Sequence, residues 1–219
     1  MSALASVLKR DRLIVGCGLG IVAGVAWWHL FSEARRMKVS GVCEDVAMKM
    51  GGPDLASWPL VSVLPLFVMW AVMMVAMMLP SATPMILTFA AVTRNRRQRD
   101  RPYVPVAVFA SGYLFVWCLF SAIAAMAQWA LHRSALLSST MASTSVFLGA
   151  LVLIGAGVFQ FTPLKHACLR HCRTPLEFIM TRWREGWRGA FGMGLRHGAF
   201  CAGCCWVLML LLFVGGVMN

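Results

Sequence analysis

The chain has 219 residues, 60% of them apolar and only 13% charged, with a formal net charge of +12. A soluble domain runs near half apolar and a quarter charged, so an ordinary water-soluble globule is excluded. Nor does the positive charge point to nucleic acid, because the basic residues sit between apolar runs. There they hold loops on the cytoplasmic side of a membrane and face anionic headgroups.

Crossing a bilayer as helix takes roughly 20 residues, and five apolar stretches come close to that length or exceed it. They run over about 13–31, 59–92, 103–131, 143–161 and 191–218. All are apolar all round rather than striped, as lipid-facing or bundle-core helices are. The expected fold is all-α, a single polytopic membrane domain of about five transmembrane helices. The first stretch follows a basic start, as a signal peptide does. It lacks a small-x-small cleavage site and ends in Trp27-Trp28, so it reads as a retained span. The second and third are longer than a bilayer needs, which implies tilt, a break or an interfacial extension. In the second, Pro65, Pro80 and Pro84 mark the place for a break.

Sidedness follows from Lys and Arg in the short loops. Lys9, Arg10 and Arg12 precede the first span, Arg94 to Arg101 follow the second, and Lys165 to Arg196 lie about the fourth-to-fifth connection. The opposite side carries Arg35, Arg36, Lys38, Lys49 and Arg133. The N-terminus is therefore expected inside and the C-terminus outside.

Soft ligands concentrate in three places. In the second span Met69, Met73 and Met77 stack four apart on one helix face, with Met74 and Met78 as a parallel row. Methionine also fills irregular cores, so this stripe alone leaves packing open. In the fifth span Met193, His197, Cys201 and Cys204 fall within an arc of about 80°, and Cys205 and Met209 extend it. Thiolates and thioethers are the ligands that soft Cu(I) selects; the alternative is that buried Cys acts as a small hydrophobe. Between the fourth and fifth spans Cys168 and Cys172 stand one turn apart with His171 close by. Lys165, Arg170 and Arg173 beside them favour the thiolate form, although the same bases also suit a headgroup-facing surface. The candidate metal ligands are thus Met69, Met73, Met74, Met77, Met78, Cys168, Cys172, His197, Cys201, Cys204 and Cys205. They are expected to bind copper as Cu(I) among the second, fourth and fifth helices. Cys17 and Cys118 read as packing, and Cys43, Met48 and Met50 in the first loop give only a weak metal signal.

What is missing narrows the chemistry. Every Asp and Glu lies outside the apolar centres of the spans, so neither a membrane-embedded carboxylate for proton coupling nor an oxygen cage for a hard cation is provided. There is no Walker loop, no phosphorylation motif and no Ser/His/Asp set. Ligand exchange rather than catalysis is expected, with membrane lipid and a cuproprotein or membrane enzyme as partners. Two rival readings stay open. One is a membrane thiol–disulfide oxidoreductase using Cys201/Cys204 and Cys168/Cys172. The other is a structural accessory subunit that packs against a larger membrane enzyme through glycines such as Gly149, Gly155 and Gly157.

Three stretches carry a resemblance. They are Trp70 to Pro80, ending in AMMLP; Gln160 to Arg173, reading Q-x-x-P-L-K-x-x-C-L-x-x-C-R; and Gly198 to Met209, reading G-x-x-C-x-G-C-C-W-x-L-M. In these the sequence resembles a family of bacterial integral membrane proteins with an uncharacterised domain, described as predicted metal-binding and sometimes labelled copper chaperones. The resemblance implies a multi-pass protein of the bacterial inner membrane. It marks Met73, Met74, Met77, Met78, Gln160, Lys165, Cys168, Cys172, Cys201, Cys204 and Cys205.

Overall fold

The structure, a computed structural model, describes residues 13–32, 34–35, 63–97, 104–133 and 146–215. The predicted loop with Cys43, Met48 and Met50 lies outside them. The described secondary structure is helical throughout: α1 Leu13–Ser32, then α2 Val63–Arg97, α3 Val106–Arg133, α4 Val146–Gln160, α5 Pro163–Arg173, α6 Pro175–Arg182 and α7 Gly186–Gly215. Among the described residues, α1, α2, α3 and α7 are each long and apolar enough to cross a membrane. A fifth span results if α4 and α5 are counted as one bent crossing.

The fourth stretch departs from the plain span that its composition suggests. With 15 residues, α4 is about 22 Å long at 1.5 Å per residue, short of the roughly 30 Å hydrocarbon layer. The chain then turns by 66° into α5. Thr162 makes the corner. Its hydroxyl accepts from the Lys165 backbone N–H at 3.4 Å, and Pro163 follows in the first turn, where a missing N–H costs nothing. A second local device opens α7: Gly186 has φ of +76°, a left-handed backbone that glycine adopts without strain. The fifth-span helix therefore begins at Gly186 rather than at Phe191, carrying Trp187 and Arg188 in its first turns.

The expected proline break in α2 does not occur; the helix runs unbroken for 35 residues through Pro80 and Pro84. Proline at position 80 removes the N–H that the Ala76 carbonyl would accept. Trp27 of α1 supplies the replacement, its indole N–H donating to Ala76 O at 3.1 Å. Hydroxyls bind the carbonyls around the prolines. Ser81 donates to Met78 O at 2.8 Å, Thr83 to Leu79 O at 3.1 Å and Thr88 to Pro84 O at 2.7 Å. A neighbouring helix and Ser/Thr side chains are the means by which membrane helices tolerate proline.

At the centre of the bundle α3 lies against α7 on one side and α2 on the other. The α3–α7 contact is made by backbone. A Cβ placed on Gly194 would stand 2.1 Å from Phe109 O, and one on Gly112 would stand 2.3 Å from Phe191 O. Only glycine permits that approach. On its α2 side, α3 offers Gln128, whose Oε1 accepts from the buried Trp70 indole N–H at 2.5 Å, so both polar groups are satisfied inside the core. At one end of α2, Arg96 pairs with Glu185 and lies 4.7 Å above the Trp183 ring. This ties α2 to the α6–α7 turn.

Gly194→Ala and Gly112→Ala are each expected to destabilise the bundle by about 1–3 kcal/mol through overpacking. Gly157→Ala, whose added carbon meets nothing within 4 Å, is expected to change stability by no more than about 0.5 kcal/mol. Denaturation in detergent micelles measures the difference.

Candidate metal centre

Helix α7 places its soft donors by simple periodicity. Met193, His197 and Cys201 recur every four residues on one face, and all three are buried. Cys204 and Cys205, one turn further on, are half-buried. The 66° corner after α4 swings α5 onto this face. Cys172 then lies within hydrogen-bonding reach of Cys201 and Cys204, and Cys201 and Cys204 are each within reach of Cys205. The second α5 thiol fits against a glycine: a Cβ on Gly203 would be 3.1 Å from Cys168 Sγ. Five of the candidate cysteines thus gather along the α5–α7 contact.

The cluster is arranged as thiols rather than as a closed coordination sphere. Among the described residues no group of three or more His, Cys, Asp and Glu stands ready to hold a metal ion. Hydrogen bonding gives the reason. The Cys204 and Cys205 thiols donate back to the Cys201 carbonyl at 3.1 and 3.0 Å, which aims their sulfurs along their own helix. Coordination requires rotating these side chains about χ1 and releasing their protons. Chemically the donor set suits a soft monovalent ion, since it offers sulfur and one imidazole and no carboxylate.

Of the residues flanking Cys168 and Cys172, two have partners away from the thiols. Arg170 turns towards Glu177, 3.8 Å away. His171 stacks on Phe200 at 4.2 Å, and its Nδ1 bonds to Ala167 O at 2.9 Å. Arg170 is thus exposed, while His171 packs on α7.

His197 lies in an aromatic box, with the rings of Tyr113, Phe178 and Phe109 at 5.6, 5.7 and 6.2 Å. Its Nδ1 has no hydrogen-bond partner. A buried ring nitrogen left bare in this way is held in position by packing, with its lone pair or proton uncommitted.

The methionine rows belong to the same hydrophobic core as Met193 and Cys201. Met73 and Met74 are buried in the core, and Met69, Met77 and Met78 pack at its edge. Helix α3 packs against both α2 and α7. The connection runs through Tyr113. Its hydroxyl donates to the Met78 carbonyl at 2.9 Å and lies 3.4 Å from Cys201 Sγ. With the tyrosine proton given to the carbonyl, the Cys201 thiol is the donor in the second contact.

Tyr113 is the site residue that sequence reasoning missed. One signal was present: the chain has only two tyrosines, and this one follows Ser111-Gly112 inside an apolar span, where a hydroxyl must find a partner.

A family model described as PpoB2, copper chaperone, matches residues 67–219. The chain belongs to this copper chaperone family. The matched residues run from within α2 to the end of the chain and include every candidate ligand on α2, α5 and α7. Curated proteins and solved structures gave no match.

Tyr113→Phe removes the bridge while keeping the ring. It is expected to lower stability by about 1 kcal/mol and to speed alkylation of Cys201 in detergent, with helix content unchanged. Denaturation and mass-spectrometric thiol labelling check this; unchanged values for both refute the bridge.

Proposed function

We propose that this member of the copper chaperone family is a multi-pass protein of the bacterial inner membrane that binds Cu(I) and passes it on by ligand exchange, for copper delivery or homeostasis. Copper is its cargo, held in turn by Cys172, Cys201, Cys204 and Cys205 with Cys168 and His197 at hand. The observation that carries this reading is the convergence of Cys172 from α5 with three cysteines of α7. Cysteines from two helices meet there, and a purely apolar packing role requires no such convergence.

Two or three thiolates satisfy Cu(I), and the thioethers of Met69, Met73, Met74, Met77 and Met78 bind it more loosely, as neutral donors. A path from thiolate to thioether, past Tyr113, lets the ion leave as readily as it arrives. The sidedness in this reading is N-terminus inside and C-terminus outside, with Cys168 and Cys172 at the inner rim. The receiving partner is a cuproprotein or a membrane enzyme.

A second reading, a membrane thiol–disulfide oxidoreductase, draws support from the reach between Cys172 and Cys201. Against it, Cys201 is only 7% exposed, whereas redox-active thiols meet their substrates at accessible positions.

Protein purified anaerobically under reducing conditions is expected to carry, or to take up, at least one copper per chain by elemental analysis. The Cys201→Ser/Cys204→Ser/Cys205→Ser variant is expected to lose most of it. Copper content unchanged in that variant refutes the site. A mixed disulfide trapped by a single-cysteine variant, with no copper bound, establishes the second reading instead.

A further inference from the structure

The described part of the chain is poor in acid, and its acids are committed. Glu185 pairs with Arg96 and Glu177 lies by Arg170; among the described residues there is no other Asp or Glu. Three arginines are left facing one place. Arg182 at the end of α6, Arg184 in the α6–α7 turn and Arg196 on α7 line a groove of about 350 Å³. Leu195 and Ala199 add an apolar wall, and Met193 also lines it. Met193 is 2% exposed and heads the row that continues through His197 to Cys201. A cationic mouth therefore opens beside the first of the soft donors.

Electrostatics decides what such a mouth admits. Three guanidinium groups repel a bare copper ion or any cationic complex of it. Cu(I) held between two thiolates carries a net charge of −1, and the same groups attract it. We propose that the Arg182–Arg184–Arg196 groove is the docking site for an anionic bis-thiolate complex of Cu(I), which hands its ion to the Met193–His197–Cys201 row. This rests on the copper reading above. Met193 enters first, as a neutral donor with no proton to lose. When Cys201 then binds, its thiol proton leaves on the departing carrier thiolate, and a second cysteine releases the second carrier in the same way. Copper stays Cu(I) throughout, and each carrier ligand departs as a free thiol.

Anaerobic stopped-flow uptake from two donors tests the docking site. One donor is the anionic bis-glutathione complex, the other the cationic acetonitrile complex. Arg182→Gln/Arg184→Gln/Arg196→Gln is expected to slow uptake from the glutathione complex about tenfold and to abolish most of its salt dependence. Its final copper content from the acetonitrile complex is expected to match that of the unmodified protein. Arg188→Gln, a charge loss outside the groove lining, is expected to keep the original rate. Equal slowing with both donors, or no slowing, overturns the docking site and leaves copper binding intact. An unmodified protein that takes copper from neither donor overturns both.

Discussion

Backbone contact between α3 and α7 is the constraint on which the rest of this bundle depends. Lipid is as apolar as the helices are, so burying hydrocarbon does little to drive membrane helices together; close packing and hydrogen bonds must do it instead. Gly112 on α3 and Gly194 on α7 remove the side chains at the crossing, and each backbone then meets the other's carbonyl groups directly. The approach fixes the depth at which Phe109 and Tyr113 sit beside His197. It also brings the Tyr113 hydroxyl to the Cys201 sulfur. Were the helices to stand at an ordinary separation, that hydroxyl would meet nothing on α7.

A second corner completes the cluster. Thr162 and Pro163 stop α4 short and turn the chain back onto α7, which has Gly203 where Cys168 arrives. Glycines on α7 thus receive parts of the site from neighbouring helices: Gly194 the backbone beside Phe109 and Tyr113, and Gly203 the Cys168 thiol. Helix α7 is the common floor of the site, and its small residues are the recesses into which its neighbours fit.

Much of the fold was legible because lipid imposes a simple code on sequence. Runs of about twenty apolar residues gave the long helices, and the four-residue spacing of Met193, His197 and Cys201 gave their shared face. Proline misled the reading of α2. Pro65, Pro80 and Pro84 suggest a break, whereas α2 runs on through Pro80 and Pro84, and Trp27, more than forty residues earlier, answers the carbonyl that Pro80 frees. The same limit applied to the ligands. Spacing within one helix reveals a face, but which helices share a seam depends on crossings set by glycine. Tyr113 on α3, which links Met78 to Cys201, is therefore not legible from spacing alone. On α5, Arg170 turns to Glu177 of α6 and His171 stacks on Phe200 of α7, partners that sequence neighbours do not reveal.

The Trp27 indole has a consequence for how the parts of this chain relate. Helix α1 lies outside the residues that match the family, is largely exposed, and buries chiefly Ala26 and Leu30. Yet it supplies the donor for the Ala76 carbonyl, one of the two in α2 that Pro80 and Pro84 orphan. In hydrocarbon an unanswered carbonyl costs several kcal/mol. The continuity of α2 through Pro80 therefore draws on a helix at its margin. Separating α1 from the remainder leaves the methionine helix with a choice between bending and carrying a bare dipole at the level of its Met rows.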